Sequence, residues 1–338
     1  MESLYNVFKR RGYTRRDFLK SALLIASTIG MGPSFLPQVV KALESKPKPQ
    51  VLWLSFQSCL GCTQSILNST SIVPADVLSE YISLEYHETL MFSHRSKEAM
   101  DLQKGRYVLV LEGSLPVDGG FYCTGGGRSA EEILKSLMDG AGLILALGSC
   151  ASWGGIAHAE PNPTKAVAVD EILKHKRVVK LPGCPPVGDV IVSVIASFVV
   201  TGKPPEVDGE GRPRVFYGQT IHDRCYRRPF YDAGKFVGSF EGEDAQRGYC
   251  LYRMGCKGPI TRNACATVRW NGGLSFPIQS GHPCFGCSEA DFWDRGFIYR
   301  PLSVVEEGFS WKEALAGALI GTALGYGTAY INKKLGGG

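Results

Sequence analysis

The sequence predicts an α/β fold: a doubly wound parallel sheet, then an irregular, loop-rich domain dense in cysteine, then a single C-terminal helix. Three observations carry this. Four short, nearly continuous apolar runs lie between residues 50 and 205, separated by helix-length segments, the pattern of parallel strands covered on both faces. Beyond Lys203-Pro204-Pro205 the composition shifts to Gly, Arg and Tyr, and six of the eleven cysteines follow. Residues 314–331 contain no charged side chain and precede Lys333-Lys334.

With 338 residues, 44% hydrophobic and 20% charged, the chain can bury a core without staples, which excludes disorder and coiled coil. The first 42 residues hold seven Lys/Arg against two Asp/Glu, which accounts for the whole net charge of +5. The remaining body is electrically neutral and offers no footprint for nucleic acid. Eleven cysteines are an odd number in a chain too large to need a disulfide framework. Metal or cluster ligation therefore competes with disulfides from the start.

Residues 1–43 form a signal region. Arg15-Arg16 precede an apolar run, Ala22 to Met31, and then Pro33, the pattern of a twin-arginine export signal. The run falls short of the about 20 residues a membrane span needs. Processing is expected near Val40–Glu44. The alternative is a basic arm before a short buried helix.

Residues 50–205 carry the strands. Val51–Phe56, Tyr107–Leu111, Leu143–Leu147 and Val178–Leu181 lead into Gln57-Ser58-Cys59-Leu60-Gly61-Cys62, Glu112-Gly113-Ser114-Leu115-Pro116, Gly148-Ser149-Cys150 and Pro182-Gly183-Cys184-Pro185-Pro186. Open α/β sheets bind ligands beyond the carboxyl ends of their strands. Three of the four ends deliver Cys59, Cys62, Cys150 and Cys184 to one edge. Four such thiolates suit a cubane iron–sulfur cluster or a tetrahedral zinc. The competing reading makes Cys150 and Cys184 ordinary buried cysteines.

Residues 206–300 hold two further sets. His222 and Cys225, at i and i+3, share a face if that turn is helical. With Cys250 and Cys256 they make one histidine and three cysteines. Cys265 with Cys284-x-x-Cys287 makes a set of only three. Disulfides, or one three-cysteine–histidine zinc site with spare thiols, are the alternatives here.

Residues 312–332 are a candidate transmembrane anchor helix. Eighteen uncharged residues at 1.5 Å rise reach about 27 Å, close to the roughly 30 Å hydrocarbon core. Gly317, Gly321 and Gly325 repeat at i, i+4, which lets a second helix approach closely in lipid. Trp311 and the two lysines stand where interfacial anchors belong, and the lysines favour a cytoplasmic C-terminus. A small-residue helix packed on protein is the alternative.

Taken in order, these stretches match one family. They are Ser58-Cys59-Leu60-Gly61-Cys62, Ser83-Leu84-Glu85-Tyr86-His87-Glu88, Gly148-Ser149-Cys150-Ala151-Ser152-Trp153-Gly154-Gly155 and Leu181-Pro182-Gly183-Cys184-Pro185-Pro186. Further on come Ile221-His222-Asp223-Arg224-Cys225, Cys250-Leu251-Tyr252, Gly255-Cys256-Lys257-Gly258-Pro259 and Gly281-His282-Pro283-Cys284-Phe285-Gly286-Cys287. Over about residues 50–290 the chain resembles the small, iron–sulfur subunit of nickel–iron hydrogenases.

The resemblance implies a flavodoxin-like sheet over 50–205 and an iron–sulfur domain over 206–300. It implies that Cys59, Cys62, Cys150 and Cys184 hold a proximal [4Fe–4S] cluster. Cys265, Cys284 and Cys287 would hold a medial [3Fe–4S] cluster, with Pro277 at its vacant corner. His222, Cys225, Cys250 and Cys256 would hold a distal [4Fe–4S] cluster, leaving Cys123 over. No catalytic residue falls in this chain: the H2-active centre belongs to a nickel–iron large subunit. The twin-arginine route would export the protein folded and loaded, to the periplasmic face of the cytoplasmic membrane. There it would pass electrons, in H2 uptake, to a membrane acceptor such as a cytochrome b or another quinone-linked subunit.

Three positions depart from the family's habit, since Ser58, Leu60 and Gln64 stand where Glu, Thr and Glu are common. Gly61 and Gly155 stand where oxygen-tolerant members carry two extra cysteines. Two other functions compete. One is a quinone-reductase subunit of the complex I type that shares the N-terminal module. The other is an exported zinc or disulfide protein with a structural role.

Overall fold

The computed structural model describes residues 49–69, 82–91, 102–117, 124–125, 127–174, 176–290, 292–294 and 299–302, with isolated positions before residue 49. Cys123, the expected C-terminal anchor and all but isolated positions of the signal region lie outside the described residues.

Five parallel strands form the central sheet: β1 (Gln50–Ser55), β2 (Ser83–His87), β3 (Tyr107–Glu112), β4 (Ala141–Leu147) and β5 (Val178–Leu181). They lie in the order β2-β1-β3-β4-β5. Four of them are the apolar runs read from the sequence. The fifth, β2, was not expected as a strand. It is an edge strand in which only His87 is fully buried, so its Ser-Leu-Glu-Tyr-His lacks the continuous apolar signal of its neighbours.

Alternate side chains of the inner strands point to opposite faces, and each face has its own core. Val51, Trp53, Val108, Val110, Leu145 and Val179 lie in one core, with Val190, Ile191 and Val194 of helix Gly188–Thr201. Leu52, Leu54, Leu109, Leu111, Ile144 and Ala146 lie in the other, with Leu134 and Leu137 of helix Ala130–Met138. Ser129 starts the latter helix with a reciprocal cap: its hydroxyl accepts from the Glu132 amide while the Glu132 carboxylate accepts from its own amide. The sheet is thus covered on both sides, as continuous apolar strands require.

The cysteine-dense half has little regular structure, as expected, but it shares a core with the sheet. Phe216, Tyr217, Ile221, Val237, Leu251, Phe276 and Ile278 belong to the same buried cluster as Val51 and Ile191. Tyr217 donates its hydroxyl to the Pro182 carbonyl, 2.9 Å away at the end of β5. The loops of residues 206–290 are held by the sheet's own hydrophobic face. Among the described residues no helix is long and apolar enough to cross a membrane.

Candidate metal centres

The strand order places β1 between β2 and β3, so the chain leaves β1 and β3 in opposite directions, and a crevice opens beyond their carboxyl ends. Cys59 and Cys62 stand at that crevice. The turn into the following helix (Gly61–Leu67) puts Leu60 in the left-handed region at φ 61°, and the Ser58 hydroxyl accepts the Leu60 amide at 3.0 Å. Ser58, a departure from the family pattern, therefore shapes the first cysteine loop. Helix Gly148–Trp153 opens directly at the end of β4 and carries Cys150. Its Ser149 joins three segments: its amide donates to the Gly183 carbonyl at 3.0 Å, its hydroxyl accepts the Gly183 amide at 3.0 Å, and that hydroxyl donates to the Cys287 carbonyl.

Glycines make room for the sulfurs. A Cβ at Gly148, where φ is +82°, would lie 2.5 Å from Cys62 Sγ. At Gly155 it would lie 2.5 Å from Cys150 Sγ, and at Gly61 3.2 Å from Cys59 Sγ. The last two are the positions that differ from oxygen-tolerant members, and both touch sulfurs of the first set.

Behind these thiols lies a polar network that the sequence did not announce as functional. Glu112, at the end of β3, is 1% exposed. It accepts from Trp53 Nε1 at 2.9 Å, Ser58 Oγ at 3.0 Å, Thr63 Oγ1 at 2.5 Å and the amides of Cys62 and Thr63 at 3.2 and 3.4 Å. Five donors thus converge on one buried carboxyl group. His87 completes the network. Its Nδ1 accepts the amides of Thr89 and Leu90 at 3.2 and 3.3 Å, which leaves the proton on Nε2, 3.3 Å from Thr63 Oγ1. A directed chain results, from His87 Nε2–H through the Thr63 hydroxyl to Glu112.

Several of the thiols perturb one another. Burial pushes the Cys62 thiol well up, and the charges of Glu112, Cys150, Cys184 and Cys59 push it further. Cys184 is pushed up to about 12, by burial and then by Cys287, Cys150 and Cys59. In the second half, burial and the neighbouring Cys287 and Cys284 raise Cys265 well above the ordinary range. Cys250 rises to about 11 through burial and then through Cys256 and Cys225. Two links join the sets. Cys184 feels Cys287, and Cys284 feels Cys256. Hydrogen bonds run the same way: the hydroxyl of Ser149, beside Cys150, donates to the Cys287 carbonyl, and the amide of Lys257, beside Cys256, donates to the Cys284 carbonyl.

His222 stands with the third set through the backbone. It begins the 3-10 turn His222–Arg224, and the Cys225 amide donates to its carbonyl at 3.3 Å. A Cβ at Gly258 would lie 3.4 Å from Cys256 Sγ and 3.7 Å from the His222 nitrogen. The imidazole packs edge-on against Tyr231, centroids 4.6 Å apart. Pro277 lines one cavity of about 430 Å³ together with Cys265, Cys284 and Cys287. Lys257 lies between the second and third sets. Its amide donates to the Cys284 carbonyl at 2.6 Å, and its buried ammonium donates to the carbonyls of Gly255 and Arg300, each at 3.2 Å.

All ten cysteines of the described residues are free thiols, which removes the disulfide reading for them. Among the described residues no three His, Cys, Asp or Glu side chains converge on a single ion. The thiols are near enough to perturb one another. As anions they repel, and burial raises the thiol pKa at Cys62, Cys184, Cys250, Cys265 and Cys284, so a polycationic group among them is what would draw out their protons. A polynuclear iron cluster fits this donor set: its several irons each take a thiolate at a separate corner.

Comparison with known proteins decides the family. The chain is 46% identical over 314 residues to the uptake hydrogenase small subunit of Azotobacter vinelandii, covering 91% of this chain and 88% of that one. The chain belongs to the small subunits of nickel–iron hydrogenases. It is also 47% identical over 305 residues to the hydrogenase-1 small chain of Citrobacter freundii, covering 88% and 81% of the two chains. Among solved structures it matches the [NiFeSe] hydrogenase of Desulfovibrio vulgaris Hildenborough at a TM-score of 0.68 and 35% identity, over 76% of this chain and 99% of that one.

Two family models match. Residues 217–299 fit the C-terminal part of NiFe/NiFeSe hydrogenase small subunits, and residues 59–198 fit the 20 kDa subunit of NADH ubiquinone oxidoreductase. The complex I alternative thus describes the first half only, and the hydrogenase family accounts for both halves. Like other hydrogenase small subunits, this one carries iron–sulfur clusters and serves a heterodimer whose catalytic metals are in the large subunit.

Proposed function

We propose that this chain is the electron-transfer arm of an exported uptake hydrogenase, with three clusters held by the residues named from the sequence. Cys59, Cys62, Cys150 and Cys184 hold a proximal [4Fe–4S] cluster at the edge of a flavodoxin-like sheet. Cys265, Cys284 and Cys287 hold a medial [3Fe–4S] cluster beside Pro277. His222, Cys225, Cys250 and Cys256 hold a distal [4Fe–4S] cluster. When bound, the clusters supply one-electron conduction between the large subunit's H2 site and an outside acceptor.

The observation that supports this reading is how the cysteine segments meet: Cys184 shares one cavity with Cys265, Cys284 and Cys287, Ser149 beside Cys150 donates to the Cys287 carbonyl, and Lys257 beside Cys256 donates to the Cys284 carbonyl. The chain's own residues do the rest. Glu112 fixes the Cys62 amide and places a negative charge behind the proximal set. The shared core keeps the two halves in one rigid register. At His222 a neutral imidazole replaces a fourth thiolate, and the smaller ligand charge favours a higher potential at the end of the path. Electrons then leave to a membrane acceptor, a cytochrome b or other quinone-linked subunit, with residues 312–332 as the anchor. Domain limits at 1–43, 50–205 and 206–300 follow the same reading.

Iron and acid-labile sulfide analysis of the purified complex tests the ligand sets. The account requires about 11 irons on this chain beyond those of the large subunit, with a paramagnetic [3Fe–4S] signal after oxidation. Pro277→Cys converts the medial site to [4Fe–4S] and removes that signal. A fully metallated preparation with zinc alone, or with about four irons, contradicts the three-cluster reading.

A further inference from the structure

Two buried N–H donors have no partner. Among the described residues, Trp270 Nε1 and Asn263 Nδ2 are buried side-chain nitrogens without a hydrogen bond. Both residues line the cavity of about 430 Å³ that contains Cys265, Cys284 and Cys287. Native structures leave few buried polar atoms unpaired, because a donor taken from water without a new acceptor loses its hydrogen bond outright. Two in one cavity, beside the three-cysteine set, point to an acceptor that belongs there.

The backbone that carries Trp270 is held by hydrogen bonds. The Trp270 amide donates to the Ser275 carbonyl at 2.9 Å, and its carbonyl accepts the amides of Gly273, Leu274 and Ser275, each at 3.1 Å. Its neighbours Arg269 and Asn271 both take left-handed backbone, at φ 62° and 51°, so a tight loop fixes where the indole starts. Arg262, the residue before Asn263, is tied to the segment that follows Cys287. The Arg262 carbonyl accepts the Ser288 hydroxyl at 2.9 Å, and the Arg262 amide donates to Glu289 Oε1 at 2.6 Å.

We infer that the Trp270 indole N–H and the Asn263 amide N–H donate to sulfur of the medial cluster and raise its reduction potential. The inference rests on the medial-cluster reading above. Hydrogen bonds to cluster sulfurs withdraw electron density and stabilise the reduced, more negative state. Trp270 and Asn263 are thus positioning and tuning residues for the electron path. The thiolates alone do not set the medial potential.

The test uses the intact heterodimer with nitrogen-15 in its tryptophan indoles. In the oxidised complex, pulsed electron paramagnetic resonance on the [3Fe–4S] signal reads a nitrogen-15 coupling that disappears in Trp270→Phe. Redox titration of the same signal gives a lower midpoint in Trp270→Phe, and lower again with Asn263→Leu added. A [3Fe–4S] signal of normal intensity with no indole coupling, and a midpoint unmoved in Trp270→Phe, overturns the inference and leaves the medial cluster standing. If no [3Fe–4S] signal forms in the unsubstituted complex, the medial reading and this inference fall together. The coupling measurement needs no substitution, so a variant that assembles poorly does not protect the claim.

Discussion

At His87 the two ring nitrogens have fixed and opposite roles, accepting at Nδ1 and donating at Nε2. Burial lowers its pKa from the ordinary histidine value, and the Glu112 charge offsets part of that. The folded chain therefore resists a proton that the unfolded chain takes up below about pH 6.5. Stability from this residue is complete above that pH and is lost as pH falls toward the folded pKa. The slope is at most about 1.4 kcal/mol per pH unit for one group. Thermal melts between about pH 7.5 and 5.5 should fall less steeply for His87→Gln than for the unsubstituted complex. Parallel curves would mean that His87 does not exclude the proton. The network was not legible in the sequence. Glu112 was visible only as the residue after an apolar run, and a single carboxylate at a strand end has no spacing that marks a partner. Its five donors come from positions 53, 58, 62 and 63, assembled only when β3 pairs with β1.

Helix Gly148–Trp153 shows how an element serves the site. Its first residue must be glycine twice over: the backbone is left-handed there, and a side chain would strike Cys62 Sγ. Gly148→Ala should lose the proximal cluster, seen as about four fewer irons, and H2-dependent dye reduction with it. The medial [3Fe–4S] signal should survive, since its ligands lie on other segments. Full iron content in that variant would place the proximal cluster elsewhere. The cysteine loops were legible because parallel strands send their carboxyl ends to one edge, so four apolar runs sufficed to bring Cys59, Cys62, Cys150 and Cys184 together. The edge strand β2 was not legible, because four of its five residues are partly in water and mixed polarity carries no strand signal. Nor did the sequence reveal that the second half packs on the sheet's core. The short apolar run ending in Phe216-Tyr217 and the separate Ile221 and Ile278 are too brief to carry a strand or helix signal, and only tertiary contact gathers them.

For the whole molecule, the first 42 residues carry the entire net charge of +5 and the body is neutral, a division that fits the proposed export signal ahead of an electron-transfer body. The stretch 312–332 lies beyond the described residues, and its proposed role rests on the length of the uncharged run 314–331 and on the lysines that follow it. We expect the complex to fractionate with membranes, to resist a carbonate wash, and to become soluble when truncated after Ser310. Recovery of the full-length complex in the soluble periplasmic fraction would mean that this stretch is no anchor. The central claim is that electrons from H2 pass through this chain's clusters in order, and the direct measurement follows the medial cluster itself. Electron paramagnetic resonance of the oxidised heterodimer should show the [3Fe–4S] signal, and anaerobic addition of H2 alone should abolish it as the cluster is reduced. If H2 reduces an added dye while that signal stays unchanged, the electrons bypass the medial cluster and the account is contradicted.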